Sequence, residues 1–331
     1  MKPTTKEIKI NFIGFWSNFD KNDNFFSNIL KKRYQVVISD SPDFVIVDPL
    51  CKPFEYMKYD CVRILYSGEP LHPDFNVFDY AIGFDQITFG DRYLKFPCFL
   101  LNKEKSLSCN ALSRAEASSI ISEKEYFCNF IYSHESPNGE RKRILDVLSS
   151  YRRVECPCSY NNNMENNWKV QYTVDKIDFI RKCKFTIAFE SFSHVDFITE
   201  KIRDAFVGNS IPIYFGDPTV GQIFNKEAFI NCNDYSSFEE VLEKVIEIDS
   251  NDEKYIEMLS KPKYIHNDYV QTKYDELERF LFNIFDQKPS EAFRRYKQFA
   301  AKTHEESLKE YMKICQKKTL HRVVKMICGA L

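Results

Sequence analysis

One stretch of this chain, residues 185–217, restricts its fold more than any other, because it reads as strand, polar loop, helix and strand in succession. The apolar run Phe185 to Phe189 and the apolar run Ile211 to Phe215 are each typical of a buried strand. Between them, Thr199 is expected to begin a helix and Gly208 to end it. The pattern predicts a βαβ unit, whose two strands lie in one parallel sheet.

The polar and charged residues of this stretch are gathered at one end of the predicted unit. Glu190, His194 and Asp196 lie on the loop, and Glu200 and Lys201 lie in the first turn of the helix. In open parallel sheets ligands bind beyond the carboxyl ends of the strands, and the unpaired N–H groups of a helix N-terminus attract phosphate. Lys201 in this position indicates a contact with a diphosphate.

Size and composition favour a globular protein of two domains, since its 331 residues exceed the roughly 100 to 200 of a common domain. No apolar run approaches the roughly 18 residues of a membrane-spanning helix, and the polar N-terminus does not resemble a signal peptide. The expected location is therefore cytoplasmic. The 11 cysteines include no Cys-x-x-Cys pair, which favours reduced thiols over disulfides or zinc ligands.

The charge distribution separates a basic C-terminal end from an acidic main body. Residues 291–331 contain ten Lys or Arg and four Glu, and because the whole chain has a net charge of −2, the remainder carries −8. An acidic body argues against a nucleic-acid binder, which needs a broad positive surface. Gly-rich phosphate fingerprints and an Asp-x-Asp motif are absent, so we expect Lys, Arg and helix N-termini, rather than a metal ion, to bind a diphosphate.

Strands and helices alternate over the first hundred residues and again beyond residue 126, which predicts two α/β half-domains. Residues 102–125 lack strand periodicity and suit a connecting helix or a linker. We therefore predict an N-terminal domain over residues 1–118, a C-terminal domain over residues 119–288 and a helical tail over residues 289–331. The tail has apolar residues at near-helical spacing with Lys and Arg between them, which suits either an anionic membrane surface or packing on protein.

Two groups of segments carry a resemblance to a known family. The first is Phe-Glu-Ser at 189–191, His-x-Asp-Phe-Ile-Thr-Glu-Lys at 194–201, Ile-Pro-Ile at 211–213 and Gly216. The second is Arg-Ile-Leu-Tyr-Ser-Gly-Glu-Pro at 63–70, Asp-Tyr-Ala-Ile-Gly-Phe-Asp at 79–85 and Asp-Arg-Tyr-Leu at 91–94. They resemble the signature and the acceptor-side block of the α-1,3/4-fucosyltransferases of glycosyltransferase family 10, bacterial members in particular. The resemblance covers roughly residues 8–280.

The resemblance implies an α/β protein of GT-B architecture, with two Rossmann-like domains facing across a cleft. It implies inverting transfer of L-fucose from GDP-β-L-fucose to O3 of GlcNAc or Glc in lactosamine- or lactose-type glycans, as in Lewis-type lipopolysaccharide O-antigen synthesis. No metal or other cofactor is expected. An α-1,4-fucosyltransferase, another nucleotide-sugar transferase on this scaffold and a non-catalytic glycan- or nucleotide-binding relative remain open.

Glu69 is the candidate catalytic base. It follows a β-rich run and a Gly, and Pro70 prevents the strand from continuing, so its carboxylate is expected at the carboxyl end of a strand. The resemblance implies that this carboxylate removes the proton of the acceptor hydroxyl. A solvated turn residue is the alternative. Asp79 and Asp85 flank the next strand, and we expect structural roles for both.

The donor-binding candidates follow from the same resemblance. Arg141 and Lys201 would bind the leaving GDP, with Arg143 a competitor for the role of Arg141, and Glu200 would accept hydrogen bonds from the ribose. The remaining candidates are the loop residues Glu190, Ser191, His194 and Phe197. The family usually has Asn and Tyr where this chain has Ser191 and Phe197. A structural imidazole at His194 and a helix N-cap at Asp196 are the alternatives there.

Several features allow more than one interpretation. Phe15, Trp16 and Phe19 suit either stacking on acceptor sugar rings or core packing. Bacterial family members end in basic amphipathic segments thought to lie on the inner membrane, so residues 291–331 suggest peripheral membrane contact, with packing on protein as the alternative. The oligomeric state, including a homodimer, is left open.

Overall fold

The computed structural model describes residues 5–48, 54–164 and 174–328. The chain forms two compact units, the first made of Met1–Phe96 and Tyr274–Leu331 and the second of Pro97–Lys273. This division differs from the boundaries at 118 and 288 expected from the sequence. Ala117 packs in the core of the second unit with Phe127, so the predicted connecting segment belongs to that unit. The C-terminal segment belongs to the first unit because its side chains bind there.

The first unit contains a six-stranded parallel sheet with the order β2-β1-β3-β4-β5-β6. Its strands are β1 (Glu7–Ile13), β2 (Gln35–Ile38), β3 (Phe44–Val47), β4 (Val62–Tyr66), β5 (Tyr80–Gly83) and β6 (Tyr93–Lys95). Both β3 and β4 are buried along their whole lengths, which is typical of strands covered on both faces of a parallel sheet. Their carboxyl ends therefore meet at one edge.

The second unit contains a five-stranded parallel sheet with the order β11-β10-β9-β7-β8. Its strands are β7 (Tyr126–Asn129), β8 (Val154–Glu155), β9 (Cys183–Phe189), β10 (Ile211–Phe215) and β11 (Ile230–Asn231). The described α-helices of the chain are α1 (Phe25–Leu30), α2 (Lys103–Leu107), α3 (Arg114–Ser122), α4 (Glu140–Ser149), α5 (Val174–Arg181), α6 (Glu200–Val207), α7 (Phe238–Asp249), α8 (Asp252–Ser260), α9 (Tyr269–Asp286), α10 (Pro289–Ala292) and α11 (Phe299–Cys328). Two α/β domains are therefore present, as the sequence predicts.

The predicted βαβ unit is confirmed as β9, α6 and β10. Phe189 pairs in parallel with Phe215, so both strands end at the same edge of the sheet. Thr199 is the N-cap of α6 and Gly208 its C-cap, as expected. The alternative in which Asp196 caps the helix is wrong, because Asp196 lies three residues before the cap in a left-handed conformation with φ of 67°. A Cβ at Gly208 would lie 2.3 Å from the Ile180 side chain, so the close approach of α5 requires glycine.

Asp79 joins the C-terminal segment to the first sheet. Its buried carboxylate accepts hydrogen bonds from the backbone N–H groups of Arg63 (2.8 Å), Arg294 (2.8 Å) and Arg295 (2.9 Å). The Arg295 guanidinium lies 3.0 Å from the same carboxylate and is itself buried. Asp79 therefore has the structural role expected of it, and residues of the predicted tail belong to the fold of the first unit.

Helix α11 forms within the predicted tail, and its first half packs on the N-terminal part of the first unit. Glu305 forms an ion pair with the buried Arg63, and the Tyr311 ring lies 6.1 Å from the Phe54 ring. Packing on protein, one of the two alternatives for the tail, therefore applies to this half. Membrane contact stays a prediction for residues 315–331, whose side chains lie outside the described part of the structure. No described helix is long and apolar enough to cross a membrane.

Candidate functional site

Glu190 is buried at the point where β9 ends, and it organises the start of α6. Its carboxylate accepts hydrogen bonds from the backbone N–H (2.8 Å) and Oγ1 (2.6 Å) of Thr199. It also accepts a hydrogen bond from Lys201 Nζ at 3.1 Å, and Lys201 Nζ donates to Thr199 Oγ1 at 2.7 Å. The Glu190 side chain is 0% exposed, so these hydrogen bonds orient Lys201 and the N-terminus of α6 from the protein interior.

The ammonium of Lys201 is held in its charged form. Burial favours the neutral amine, but the carboxylates of Glu190 and Glu200 outweigh burial and raise the pKa of Lys201. Glu200 is likewise charged: burial opposes ionisation, yet Lys201 and Lys176 lower the pKa of Glu200 to about 2. Lys201 is 21% exposed and Glu200 42%, so both first-turn residues remain accessible at this edge of the sheet.

Arg141, at the start of α4, lies at the same edge. Its guanidinium donates to the backbone oxygens of His134 (2.9 Å) and Phe189 (3.3 Å), the second of these being the last residue of β9. The guanidinium carbon is 4.3 Å from the centre of the Tyr132 ring, a cation–π contact. The buried Nε–H of Arg141 has no hydrogen-bond acceptor among the described residues, so part of the donor capacity of its guanidinium is unused.

Arg143 points elsewhere. Its guanidinium carbon lies 5.4 Å from the centre of the Phe238 ring, its side chain is 63% exposed, and its nearest carboxylate is Glu140 at 3.9 Å. Of the two arginines that the sequence left in competition, Arg141 is the one that contacts the carboxyl end of β9. A role for Arg141 in diphosphate binding stays a prediction.

The other loop candidates differ in how accessible they are. Ser191 and His194 are half-buried, and His194 Nδ1 lies 2.8 Å from the backbone oxygen of Val195. Phe197 is 3% exposed and stacks on the Phe192 ring at 5.1 Å. The buried ring of Phe197 therefore supports the loop by packing.

Sequence reasoning gave no binding or positioning role to three residues at this edge. Tyr132, three residues beyond β7, donates from its hydroxyl to the Ile187 oxygen at 2.8 Å and lies under Arg141. Lys176 forms an ion pair with Glu200 at 3.6 Å, and Thr199 is the bridge between Glu190 and Lys201 described above. The rule that ligands lie beyond strand carboxyl ends points to Tyr132. No sequence signal selects Lys176, because it comes from a helix far from the motif.

Glu69 follows β4 at the carboxyl edge of the first sheet. Its backbone oxygen accepts hydrogen bonds from Ser67 Oγ (2.6 Å) and from the Leu71 N–H (2.7 Å), which fixes the turn. A Cβ on Gly68 would lie 3.0 Å from the Tyr66 hydroxyl, so the turn has little room for a larger residue there. The exposed Glu69 lines a cavity of about 430 Å³, which we call the Glu69 cavity.

The Glu69 cavity has a largely apolar lining with a few polar groups. Its lining residues are Asp48, Phe54, Tyr56, Ser67, Glu69, Leu71, His72, Asp74, Val77, Phe78 and Leu308. Its volume lies in the usual range of ligand pockets, about 300 to 1,000 Å³, and its composition is typical of them. Asp48, His72 and Asp74 were not predicted. Asp48 directly follows β3, so the rule that ligands bind beyond the carboxyl ends of strands points to Asp48 as it does to Glu69.

The aromatic residues after β1 form a cluster. Phe15 stacks on Phe19 at 4.2 Å and lies 6.4 Å from the Tyr66 ring, whereas Trp16 is 50% exposed. Phe15 and Phe19 therefore pack mainly on protein, and Trp16 keeps a surface for other contacts. An oxygen of Asp85, beyond β5, lies 2.7 Å from His72 Nδ1, consistent with the structural role expected of Asp85.

The two units thus carry different chemistry. Lys201, Arg141 and the N-terminus of α6 provide positive charge and N–H donors, which suit an anionic ligand. Glu69 provides a carboxylate beside a cavity. Within the described ranges, no three His, Cys, Asp or Glu side chains are grouped so as to hold a metal ion.

Two family models match the chain. Residues 10–102 match the Alpha-(1,3)-fucosyltransferase FucT N-terminal domain, and residues 121–280 match the Glycosyltransferase family 10 (fucosyltransferase) C-term domain. Each model covers most of one α/β domain.

The similar proteins agree with these matches. The Alpha-(1,3)-fucosyltransferase FucT of Helicobacter pylori is 29% identical over 292 residues, 76% of this chain and 59% of that protein. The 4-galactosyl-N-acetylglucosaminide 3-alpha-L-fucosyltransferase 9 of Bos taurus is 31% identical over 135 residues, 37% of each chain. This chain therefore spans less than two thirds of the length of these relatives.

The solved structures support the fold. A crystal structure of an alpha1,3-fucosyltransferase with GDP-fucose has a TM-score of 0.66, at 24% identity over 87% of this chain and 94% of that one. At this identity the likeness concerns the fold alone. The α/β class and the two Rossmann-like domains of the GT-B class, expected from the sequence, are confirmed.

Proposed function

This chain belongs to glycosyltransferase family 10, and on that premise we propose that it transfers L-fucose from GDP-β-L-fucose to a glycan. The observation that carries the proposal is the arrangement at the carboxyl end of β9. There Glu190 and Thr199 hold the charged Lys201 at the N-terminus of α6, and Arg141 lies against the last residue of β9. This arrangement suits a diphosphate, because both cations and the helix N-terminus attract negative charge.

On the donor side, we propose that Lys201 and Arg141 bind the diphosphate of GDP and stabilise the negative charge that grows as the bond to fucose breaks. Glu200 then accepts hydrogen bonds from the ribose hydroxyls. Its low pKa of about 2 keeps it ionised at neutral pH, so it acts only as an acceptor. Ser191 and His194 are the further donor-side candidates, and Glu190 and Phe197 support them as buried residues.

On the acceptor side, we propose that Glu69 is the general base. Its carboxylate takes the proton of the acceptor O3 hydroxyl, the oxygen bonds to C1 of fucose, and the bond from C1 to the β-phosphate oxygen breaks to release GDP. Attack opposite the leaving group inverts the anomeric centre, so the β-linked donor gives an α-linked product. No metal ion or other cofactor takes part in this proposal.

The acceptor we propose is the GlcNAc or Glc of a lactosamine- or lactose-type glycan, as in Lewis-type lipopolysaccharide O-antigens. The names of the Helicobacter pylori and Bos taurus relatives specify α-1,3 transfer, and this supports O3 as the site of attack. The Glu69 cavity supports a sugar ligand, since apolar and aromatic groups suit C–H faces and carboxylates suit hydroxyls.

A donor and acceptor screen with the purified protein tests the function. We expect turnover with GDP-fucose and lactose or N-acetyllactosamine, an α-1,3 linkage by NMR, and the same rate with EDTA as with Mg²⁺. An α-1,4 linkage, or turnover with another nucleotide sugar alone, would replace the proposed reaction by a related one. GDP binding without transfer to any acceptor would indicate a non-catalytic relative.

Arg141→Ala is expected to weaken GDP binding about 10- to 150-fold, because a hydrogen bond to a charged group contributes about 1.5–3 kcal/mol. Arg143→Ala, two residues away on the same helix, is the matched control and is expected to change GDP affinity by less than about twofold, since the Arg143 guanidinium lies over Phe238. Isothermal titration calorimetry with GDP measures both. Equal losses in the two variants would contradict the assignment to Arg141.

A further inference from the structure

The C-terminal helix α11 contributes a wall to the Glu69 cavity. Leu308, from α11, lines the cavity, as do Phe54 and Tyr56. Leu308 also packs against the buried cluster that contains Val47 and Leu65, the last residue of β3 and the fourth of β4. A residue more than 200 positions from Glu69 in sequence therefore borders the same space.

Polar contacts hold α11 in this position. His304 Nε2 lies 2.7 Å from an oxygen of Asp74, which is itself a lining residue of the cavity. Arg63, 1% exposed, donates a hydrogen bond of 2.9 Å to Glu305. Leu308 lies four residues after His304 and three residues after Glu305, and both of these spacings make side chains neighbours on the surface of a helix. The face that carries Leu308 is therefore fixed against the first unit.

The position of α11 is also fixed from its N-terminal side. The backbone N–H groups of Arg294 and Arg295 bind the buried carboxylate of Asp79, the residue before β5. These two arginines lie only a few residues before α11 begins at Phe299. Arg294, Arg295 and the whole of α11 lie beyond residue 280, where the match to the family models ends. Family membership therefore gives no role to Leu308.

We propose that Leu308 is a specificity-determining residue of the acceptor site. Its side chain contacts the apolar C–H face of the acceptor sugar and limits how far that sugar extends away from Glu69. The hydroxyl groups of the sugar are then bound by the carboxylates of Asp48 and Asp74, which line the cavity around it. The inference rests on the proposed function, since it requires the cavity to bind the acceptor glycan.

The test compares Leu308→Trp and Leu308→Ala with the parent protein. Leu308→Trp fills the cavity and is expected to raise the KM for N-acetyllactosamine at least about tenfold, with the KM for GDP-fucose changed less than about twofold. Leu308→Ala removes the apolar contact and is expected to raise the acceptor KM by about three- to tenfold, and to favour longer acceptors relative to lactose. Steady-state kinetics measure these constants, and thermal unfolding confirms that both variants fold.

The matched control is Ile314→Trp, on the same helix. Ile314 is 49% exposed and does not line the cavity, so this change is expected to leave the acceptor KM as in the parent. An unchanged acceptor KM in both folded Leu308 variants, or a lower one in Leu308→Ala because α11 blocks the cavity, would overturn the inference.

A binding measurement separates this inference from the proposed function. Saturation-transfer NMR with N-acetyllactosamine is carried out on the parent and on both Leu308 variants. A parent that binds the sugar but transfers no fucose refutes the reaction alone, and weaker binding by Leu308→Trp then still supports Leu308. A parent that binds no sugar refutes the inference itself.

Discussion

Glu69→Gln is expected to lower kcat by about 10²- to 10⁴-fold while the affinity for GDP changes by less than about twofold. Glutamine keeps the size of the side chain and its hydrogen-bonding capacity, but it does not accept a proton from the acceptor hydroxyl. Fold stability is expected to be unchanged, because Glu69 is exposed and the turn around it is held by its backbone oxygen. Steady-state kinetics with GDP-fucose and N-acetyllactosamine measure kcat, and calorimetry measures GDP binding.

The matched control for this prediction is Glu7→Gln. Glu7 is an exposed glutamate at the amino end of β1, so it lies at the opposite edge of the same sheet from Glu69. This substitution removes the same charge from the same unit and is expected to leave kcat unchanged. A Glu69→Gln protein that turns over as fast as the Glu7→Gln protein would show that the base lies elsewhere.

Lys201→Ala is expected to weaken GDP binding by about 30- to 5,000-fold. The ion pair that is lost is the one proposed between Lys201 and the diphosphate, and truncating one partner of such a pair in a binding interface costs about 2–5 kcal/mol. Two effects act together. The diphosphate loses a cation, and the carboxylate of Glu190, deprived of its ion partner, remains buried beneath the binding edge and repels it. Calorimetry with GDP measures the affinity, and thermal unfolding measures the separate loss of stability.

Two further variants make the Lys201 result specific. Lys201→Arg keeps the charge and is expected to recover part of the affinity. Lys182→Ala removes a 41% exposed lysine that pairs with Glu125 at the amino end of β9, and it is expected to bind GDP as the parent does. Parent-like GDP affinity in a folded Lys201→Ala protein would refute the donor site proposed at α6.

Local patterns were sufficient for the elements on which the site is built. Apolar runs and the Thr199 and Gly208 boundaries predicted β9, α6 and β10, because strand and helix periodicity is written in neighbouring residues. The rule for strand carboxyl ends then placed Glu69 and Lys201 at the ligand-binding edges of their sheets, since it needs only the order of elements along the chain, and the family resemblance supplied their proposed roles. The alternative in which Asp196 caps α6 was wrong. An N-cap needs a particular backbone conformation, and the residue type at position 196 does not reveal the φ of 67° found there.

Contacts between distant residues were not predictable in this way. Arg141 and Arg143 are both basic residues at one helix start, and only the packing of α4 on the sheet decides that Arg141 meets Phe189. Glu190 looked like a ligand-facing loop residue, but burial turns its carboxylate towards Thr199 and Lys201. The predicted boundary at 118 rested on a gap in periodicity, which says nothing about which core a connecting helix joins.

The sequence by itself determined the α/β class, the βαβ unit, the family and the edge of each sheet where polar residues gather, because these depend on spacing along the chain. Tertiary structure alone decided which side chains are buried, which arginine reaches β9, and that the tail returns to border the Glu69 cavity through Leu308. The physical reason is that burial and ion pairing depend on distances in space. Asp79 and Arg295 bind each other in the structure, but no local pattern in the sequence indicates this pairing.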